Sequence, residues 1–339
     1  MEVQNRTDSS RVLSVMRVGV VDRAVVALAL CVACVWGVGG DGEAVAAEET
    51  GQGRWEIGIL GGVYHPSLAT LNRVLTEPDL AIIQDPNQQL QPNVDFPPEV
   101  RNLYVTPFDE YGFSLGLEAK YRYLPKHAFH LTLNLWHSQT LVGDTVPFVT
   151  GANVNEPDLV RRESLYDIQI SQLWLGWRYT VWQPSPKQSL YLDLGLIGLA
   201  FGKITINTLL KENNPAVVAT PFAVASSMEA NGFGLTTRWG LGTEYQLTNW
   251  FGISVRADYI IGEIPQLSVV RFFRAGFSVP PPPEAVILLP PPPDEGDTVT
   301  FARVQRAGGN PNTEVATGVD SLPLELNGLE VMFGIHFYF

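Results

Sequence analysis

The sequence predicts an all-β chain folded as an eight-stranded antiparallel up-and-down transmembrane barrel, with ten strands as the alternative count. Three observations carry that expectation. Stretches in which large apolar residues alternate with small or polar ones recur eight times, their connections alternate strictly between short turns and long loops, and aromatic residues gather at the short-turn end. A period of two is the repeat of a strand whose two faces meet unlike surroundings. Only 17% of the 339 residues are charged, below the roughly 25% of ordinary soluble domains.

The chain opens on a targeting segment. Arg17 and Arg23 precede an apolar run from about 24 to 38, and the small residues Val45 and Ala47 follow. This is the layout of a signal peptide over residues 1–47, cleaved after Ala46 or Ala47. Cys31 and Cys34 both lie inside it, so residues 48–339 hold no thiol for a disulfide or a metal. The first 47 residues carry four arginines and five acids, which leaves 18 basic against 30 acidic residues and a net charge of −12. So acidic a surface excludes nucleic acid as a partner.

The first strand runs from Trp55 to Tyr64, with Ile57, Ile59 and Val63 on its apolar face. The second sets Phe113, Leu115, Leu117, Tyr121 and Tyr123 against Ser114, Glu118, Lys120 and Arg122, and the third, after the LPKH turn, alternates from Phe129 to Trp136. A fourth covers about 166 to 182, where Ile168 and Ile170 give way to Leu173, Leu175 and Trp177, a slip near Gln172 of the kind a β-bulge makes. After QPSPKQ the fifth alternates Leu190, Leu192, Leu194 and Leu196 with Tyr191, Asp193, Gly195 and Ile197. The sixth and seventh run from Phe233 to Tyr245 and from Phe251 to Tyr259, and the eighth alternates from Leu329 to Phe339.

Long connections fall at about 66–108, 139–165, 204–230 and 264–325, separated by short turns. Short turns at one end and long loops at the other, with aromatic girdles, mark membrane barrels. Trp55, Tyr121, Tyr123, Tyr179, Trp182, Tyr245, Trp250, Phe251, Phe337 and Phe339 all fall near the short-turn end, where amphipathic rings favour the membrane interface. The last loop carries proline runs at 280–283 and 290–293, stiff struts around an apolar stretch. In the same loop, 267–273 and 298–304 are expected to pair as a hairpin.

With the less apolar face inward, the lumen holds Glu56, Glu118, Lys120, Arg122, Asp167, Arg178, Asp193, Lys203, Arg238, Glu244, Arg256, Asp258 and Glu330. Seven acids against six bases in an eight-stranded barrel, which side chains alone can fill, point to a plug of ion pairs rather than an ion pathway. If the odd-numbered strands run outward, Tyr64, Trp136, Ile197, Leu199 and Ile260 face inward in the outer half. They either fill space or line an apolar vestibule for a small hydrophobic solute.

Nothing in the sequence assigns a catalytic residue, a metal site or a cofactor. His137 and Ser138 are adjacent in a strand and so point to opposite faces. No nucleophile elbow, zinc-binding histidine pair or phosphate-cradling glycine loop is present, and the expectation is a protein that is not an enzyme.

The eight strands, ending on the alternation from Leu329 to Phe339, resemble the small eight-stranded outer-membrane proteins of the OmpA, OmpX and OmpW type. The resemblance covers the strands and the signal peptide, not the loops. It implies the outer membrane of a Gram-negative cell as the location, with lipid and lipopolysaccharide around the barrel. It also implies the barrel-assembly machinery as a partner, reading a terminal signal that includes Phe337 and Phe339. For the OmpW type it implies that the vestibule takes small hydrophobic molecules.

Overall fold

The structure, a computed structural model, describes residues 53–77, 80–83, 104–105, 108, 112–148, 158–212, 222–278, 296–306 and 314–339. Residues 1–47, expected to be a signal peptide, and both proline runs lie outside the described residues.

Alternation becomes a closed ring. Strand β1 (Arg54–Pro66) is followed by helix α1 (Ala69–Thr76) and the short strands β2 (Leu80–Ile83) and β3 (Tyr104–Val105). Then come β4 (Gly112–Leu124), β5 (His127–Phe148), β6 (Asp158–Ser185), β7 (Gln188–Glu212), β8 (Phe222–Thr248) and β9 (Phe251–Ile264). Beyond them lie β10 (Ser268–Ser278), β11 (Thr300–Arg306), β12 (Glu314–Ser321), β13 (Leu324–Glu325) and β14 (Gly328–Tyr338). Strands β1, β4, β5, β6, β7, β8, β9 and β14 pair in that order, every neighbour antiparallel, and β14 closes on β1 with Ile57 opposite Phe337 and Ile59 opposite Ile335. Closure removes both edges, which is what allows a sheet to sit in lipid. The ring is therefore eight strands, as the sequence predicts.

Turns are short at one end: Pro125–Lys126, Pro186–Lys187 and Asn249–Trp250. At the other end the strands run beyond what a bilayer needs. β5 to β8 span 22, 28, 25 and 27 residues, against roughly 9–11 for a tilted crossing. The connections set at 139–165 and 204–230 are thus largely ladder, with only 149–157 and 213–221 between the strands. Backbone pairing is favourable outside lipid too, so the ladder continues where the apolar alternation stops.

The last long connection also differs from expectation. β10 pairs with the outer part of β8, from Phe222 to Asn231, while β9 pairs with the membrane part, from Leu235 to Thr248. β10 therefore extends the sheet outside the ring and adds no strand to it. β11 pairs with β12 and β2; the expected hairpin between 267–273 and 298–304 reduces to one bridge, Ser268 with Thr298, and the backbone bonds beside it.

One bulge rearranges the interior. From Ile168 to Thr180 β6 keeps its phase: Ile168, Ile170, Gln172, Trp174, Arg178 and Thr180 all face inward, so the slip placed near Gln172 is absent, and the strand's own irregularity falls later, between Thr180 and Trp182. The bulge lies on β7 between Gly195 and Gly198, where Leu196 and Ile197 both turn outward. From there to Ile206 the inward positions are the even ones. Ile197 and Leu199, expected in the vestibule, are 62% and 37% exposed on the outer wall. Lys203 moves outward for the same reason and pairs with Glu229 at 2.7 Å. Asp167, on β6, also faces out and meets His137 at 3.2 Å. Neither Asp167 nor Lys203 belongs to the lumen.

Candidate functional site

Outside the ring the side chains are apolar over one belt. Ile59, Leu115, Leu131, Leu175, Leu192, Leu241, Ile253, Val255 and Ile335 are all exposed. On β4 the belt runs from Phe113 to Tyr123, matching the length of a tilted crossing strand. At the short-turn end it is bounded by rings that touch one another: Trp55 with Tyr121 at 4.9 Å, Tyr123 with Phe129 at 4.7 Å, and Trp250 with Phe337 at 6.4 Å. At the other end lies an outward polar row of His137, Gln139, Asp167, Lys203 and Glu229. So much exposed apolar surface, wrapped around a closed antiparallel ring and bounded by rings and charges, belongs in a bilayer. The chain is a transmembrane β-barrel.

Inside the barrel the charges predicted for the lumen converge. Arg178 holds Glu118 at 2.9 Å and Asp193 at 2.7 Å; Arg256 holds Glu118 at 2.7 Å and Asp258 at 2.6 Å; Arg238 approaches Asp193 at 3.4 Å. Lys120 bridges Glu56 and Glu244, the latter at 2.7 Å. Two histidines that the sequence reading left out of this network belong to it. His130 reaches Asp193 at 3.0 Å, and His336 reaches Glu56 at 3.1 Å. Both sit on inward positions of strands already assigned, which is the signal that identifies them.

Glu330 differs from the other acids. Its oxygens accept hydrogen bonds from Ser114 at 2.9 Å and Asn134 at 2.9 and 3.0 Å, neutral donors in place of a cation. It lies beside the boundary with the apolar interior, opposite Tyr64 and Asp258 in the strand register. Arg122 lies at the short-turn mouth, half-buried.

Glycines make room for the large lumen side chains. A β-carbon at Gly242 would collide with the ring of Tyr191, one at Gly198 with Trp174, and one at Gly112 with Trp136. The rings in turn carry the cations: Arg178 lies 4.0 Å over Tyr191, and Arg238 lies 4.6 Å over Trp174. Cation–π contacts gain strength where water is excluded.

Above the ion pairs the described interior becomes apolar. Tyr64, Trp136, Ile168, Ile170, Trp174, Ile204, Ile260 and Ile264 are buried in one cluster. Trp136 donates to the Tyr64 carbonyl at 2.9 Å, Trp174 donates to Thr236 at 3.0 Å, and the Tyr64 hydroxyl donates to the Leu326 carbonyl. The same cluster continues into the external connections through Leu68, Leu71, Val74 and Leu75 around α1, and through Leu267, Val299, Phe301, Leu322 and Leu324. Glu325 accepts from the Thr70 backbone and hydroxyl at the start of α1. Thus three of the five residues placed in the vestibule, Tyr64, Trp136 and Ile260, lie in a packed core beneath a cap.

Among the described residues, Glu118, His130 and Asp193 are the group close enough to hold a metal ion. The carboxylates of Glu118 and Asp193 already face Arg178, Arg238 and Arg256, and a divalent cation would meet three guanidinium charges. The donor set fits ion pairing and not a metal. His137 is exposed and paired to Asp167, while Ser138 lies on the opposite face, so the two form no nucleophile–base pair.

No protein-family model matches the chain, and no curated protein does. Among solved structures it is similar to the outer membrane protein OprG from Pseudomonas aeruginosa, at 15% identity over 85% of this chain and 96% of that one, with a TM-score of 0.35. The toluene transporter TbuX of Ralstonia pickettii shares 11% identity over 85% of this chain and 89% of its own, with a TM-score of 0.14. The toluene transporter TodX of P. putida shares 9% over 84% and 89%, with a TM-score of 0.16. At such scores the barrel architecture rests on the strand pairing itself.

Proposed function

We propose that the barrel is a closed, non-conducting outer-membrane protein whose role is structural or lies in contacts made by its outer surface. The observation that carries this reading is the continuity of packing along the axis: ion pairs at the short-turn end, then the apolar core, then the cap over it. A water path would need a gap through all three layers. Support for an outward role comes from the length of β5 to β8, which extend well past the membrane, since recognition concentrates on such exposed elements.

The second reading, a narrow channel or binder for small apolar solutes, meets two obstacles. Tyr64, Trp136 and Ile260 are buried in the apolar cluster, and Ile197 and Leu199 line the outside wall. The two readings separate in proteoliposomes that hold the refolded protein. Entry of a small aromatic hydrocarbon at the rate of protein-free vesicles is expected; saturable entry that Trp136→Ser changes would favour the solute route and sink the closed barrel.

A further inference from the structure

The short-turn mouth of the lumen gathers cations that the plug does not neutralise. Arg54 and Arg122 occupy directly paired positions on β1 and β4, and like charges so placed destabilise a sheet. One layer further in, Glu56 faces Lys120, and the acids of that layer are already engaged. Glu56 takes Lys120 and His336, while Glu244 takes Lys120 at 2.7 Å and the Tyr338 hydroxyl at 2.8 Å. Arg54 donates to the Asn249 carbonyl and lies 4.7 Å over the Tyr338 ring, which fixes its position at the rim.

Two adjoining clefts open at this mouth. Arg54, Arg122 and Lys187 line one, together with the amides of Gln183, Gln188 and Gln246; Arg122 and Lys126 line the other. The acids among the lining residues of both are Glu56 and Glu244. Lys126 and Lys187 come from two of the three short turns. In a chain of net charge −13 this local excess of positive charge runs against composition.

We propose that this mouth binds a phosphate-type oxyanion, held between the guanidinium groups of Arg54 and Arg122 with Lys187 above it. Arg54 and Arg122 line the same cleft, guanidinium N–H donors suit a phosphate better than a spherical halide, and the amides supply neutral donors around it. An anion there also removes the like-charge repulsion across β1 and β4. Because short turns of such barrels face the periplasm, two sources can present the group: a free phosphate ester, or the headgroup of an inner-leaflet phospholipid at the rim.

The test uses the full refolded chain in neutral detergent, titrated calorimetrically with inorganic phosphate at fixed ionic strength set with chloride. Saturable binding is expected, weakened about tenfold or more by Arg122→Gln, the loss of one charge-assisted contact. Lys187→Gln, on an exposed turn, keeps the fold intact and is expected to weaken binding by a smaller factor. If phosphate gives no heat in detergent, nanodiscs of phosphatidylcholine with and without phosphatidylglycerol locate the lipid source. A stabilisation by phosphatidylglycerol that Arg122→Gln removes supports the site. Phosphate binding that Arg122→Gln leaves intact overturns it, as does phosphate no better than chloride together with no phosphatidylglycerol effect or one that neither substitution changes.

Discussion

Replacing Arg178 with alanine is expected to destabilise the refolded barrel by about 3–5 kcal/mol, the range for a buried ion pair that loses one partner. Arg178 touches Glu118, Asp193 and, more distantly, Glu244, and it is 4% exposed. The loss comes from carboxylates left in the interior without their cation. Arg178→Met, which keeps most of the volume, is therefore expected to lose nearly as much, whereas a purely steric role would let methionine restore stability. Equilibrium unfolding in urea, followed by the heat-dependent gel mobility of the folded barrel, reads both.

Trp174→Ala is expected to cost a similar amount, about 3–5 kcal/mol, by a different route. The indole is fully buried, donates to Thr236, supports Arg238 from beneath and lies over Gly198. Truncation removes the joint between the ion pairs and the apolar core. Trp174→Phe keeps the ring under Arg238 and is expected to recover most of the loss. If the alanine variant unfolds at the wild-type urea midpoint, the interior is not packed at this level and the plug account fails there.

The membrane part of the fold was legible because lipid on one side and a filled lumen on the other force an alternation at every residue. From Phe113 to Tyr123 and from Leu329 to Phe339 the period alone fixes the facing of each side chain. Legibility failed where that contrast weakens. In the outer half of the lumen the interior is itself apolar, so the inward Ile168 and Ile170 resemble lipid-facing residues and suggest a slip that β6 does not have. The actual bulge on β7 left a signal: two large apolar neighbours, Leu196 and Ile197, between glycines three apart. A strand with strict alternation would have sent one of them inward.

Above the membrane the outward face turns polar at Gln139, Asp167, Lys203 and Glu229, so the row of lipid-facing apolar residues that marks a strand stops there, which explains why the ladders of β5 to β8 beyond the apolar belt read as loops. The cap was detectable in part. Leu68, Leu71 and Leu75 recur at helical spacing, and all three are buried around α1. For the candidate site, charge type and facing located the ion pairs, but the pairing pattern depends on distances across the lumen that no sequence spacing encodes. Arg256 and Glu118, 138 positions apart, meet at 2.7 Å.

Single-channel recording of the refolded protein in a planar bilayer tests the closed lumen most directly. Only material whose gel mobility shifts on heating should be used, so that silence reports the folded state. The account predicts a membrane as silent as lipid alone. Steady conductance from the wild-type barrel would contradict it, because ions would then be crossing all three packed layers.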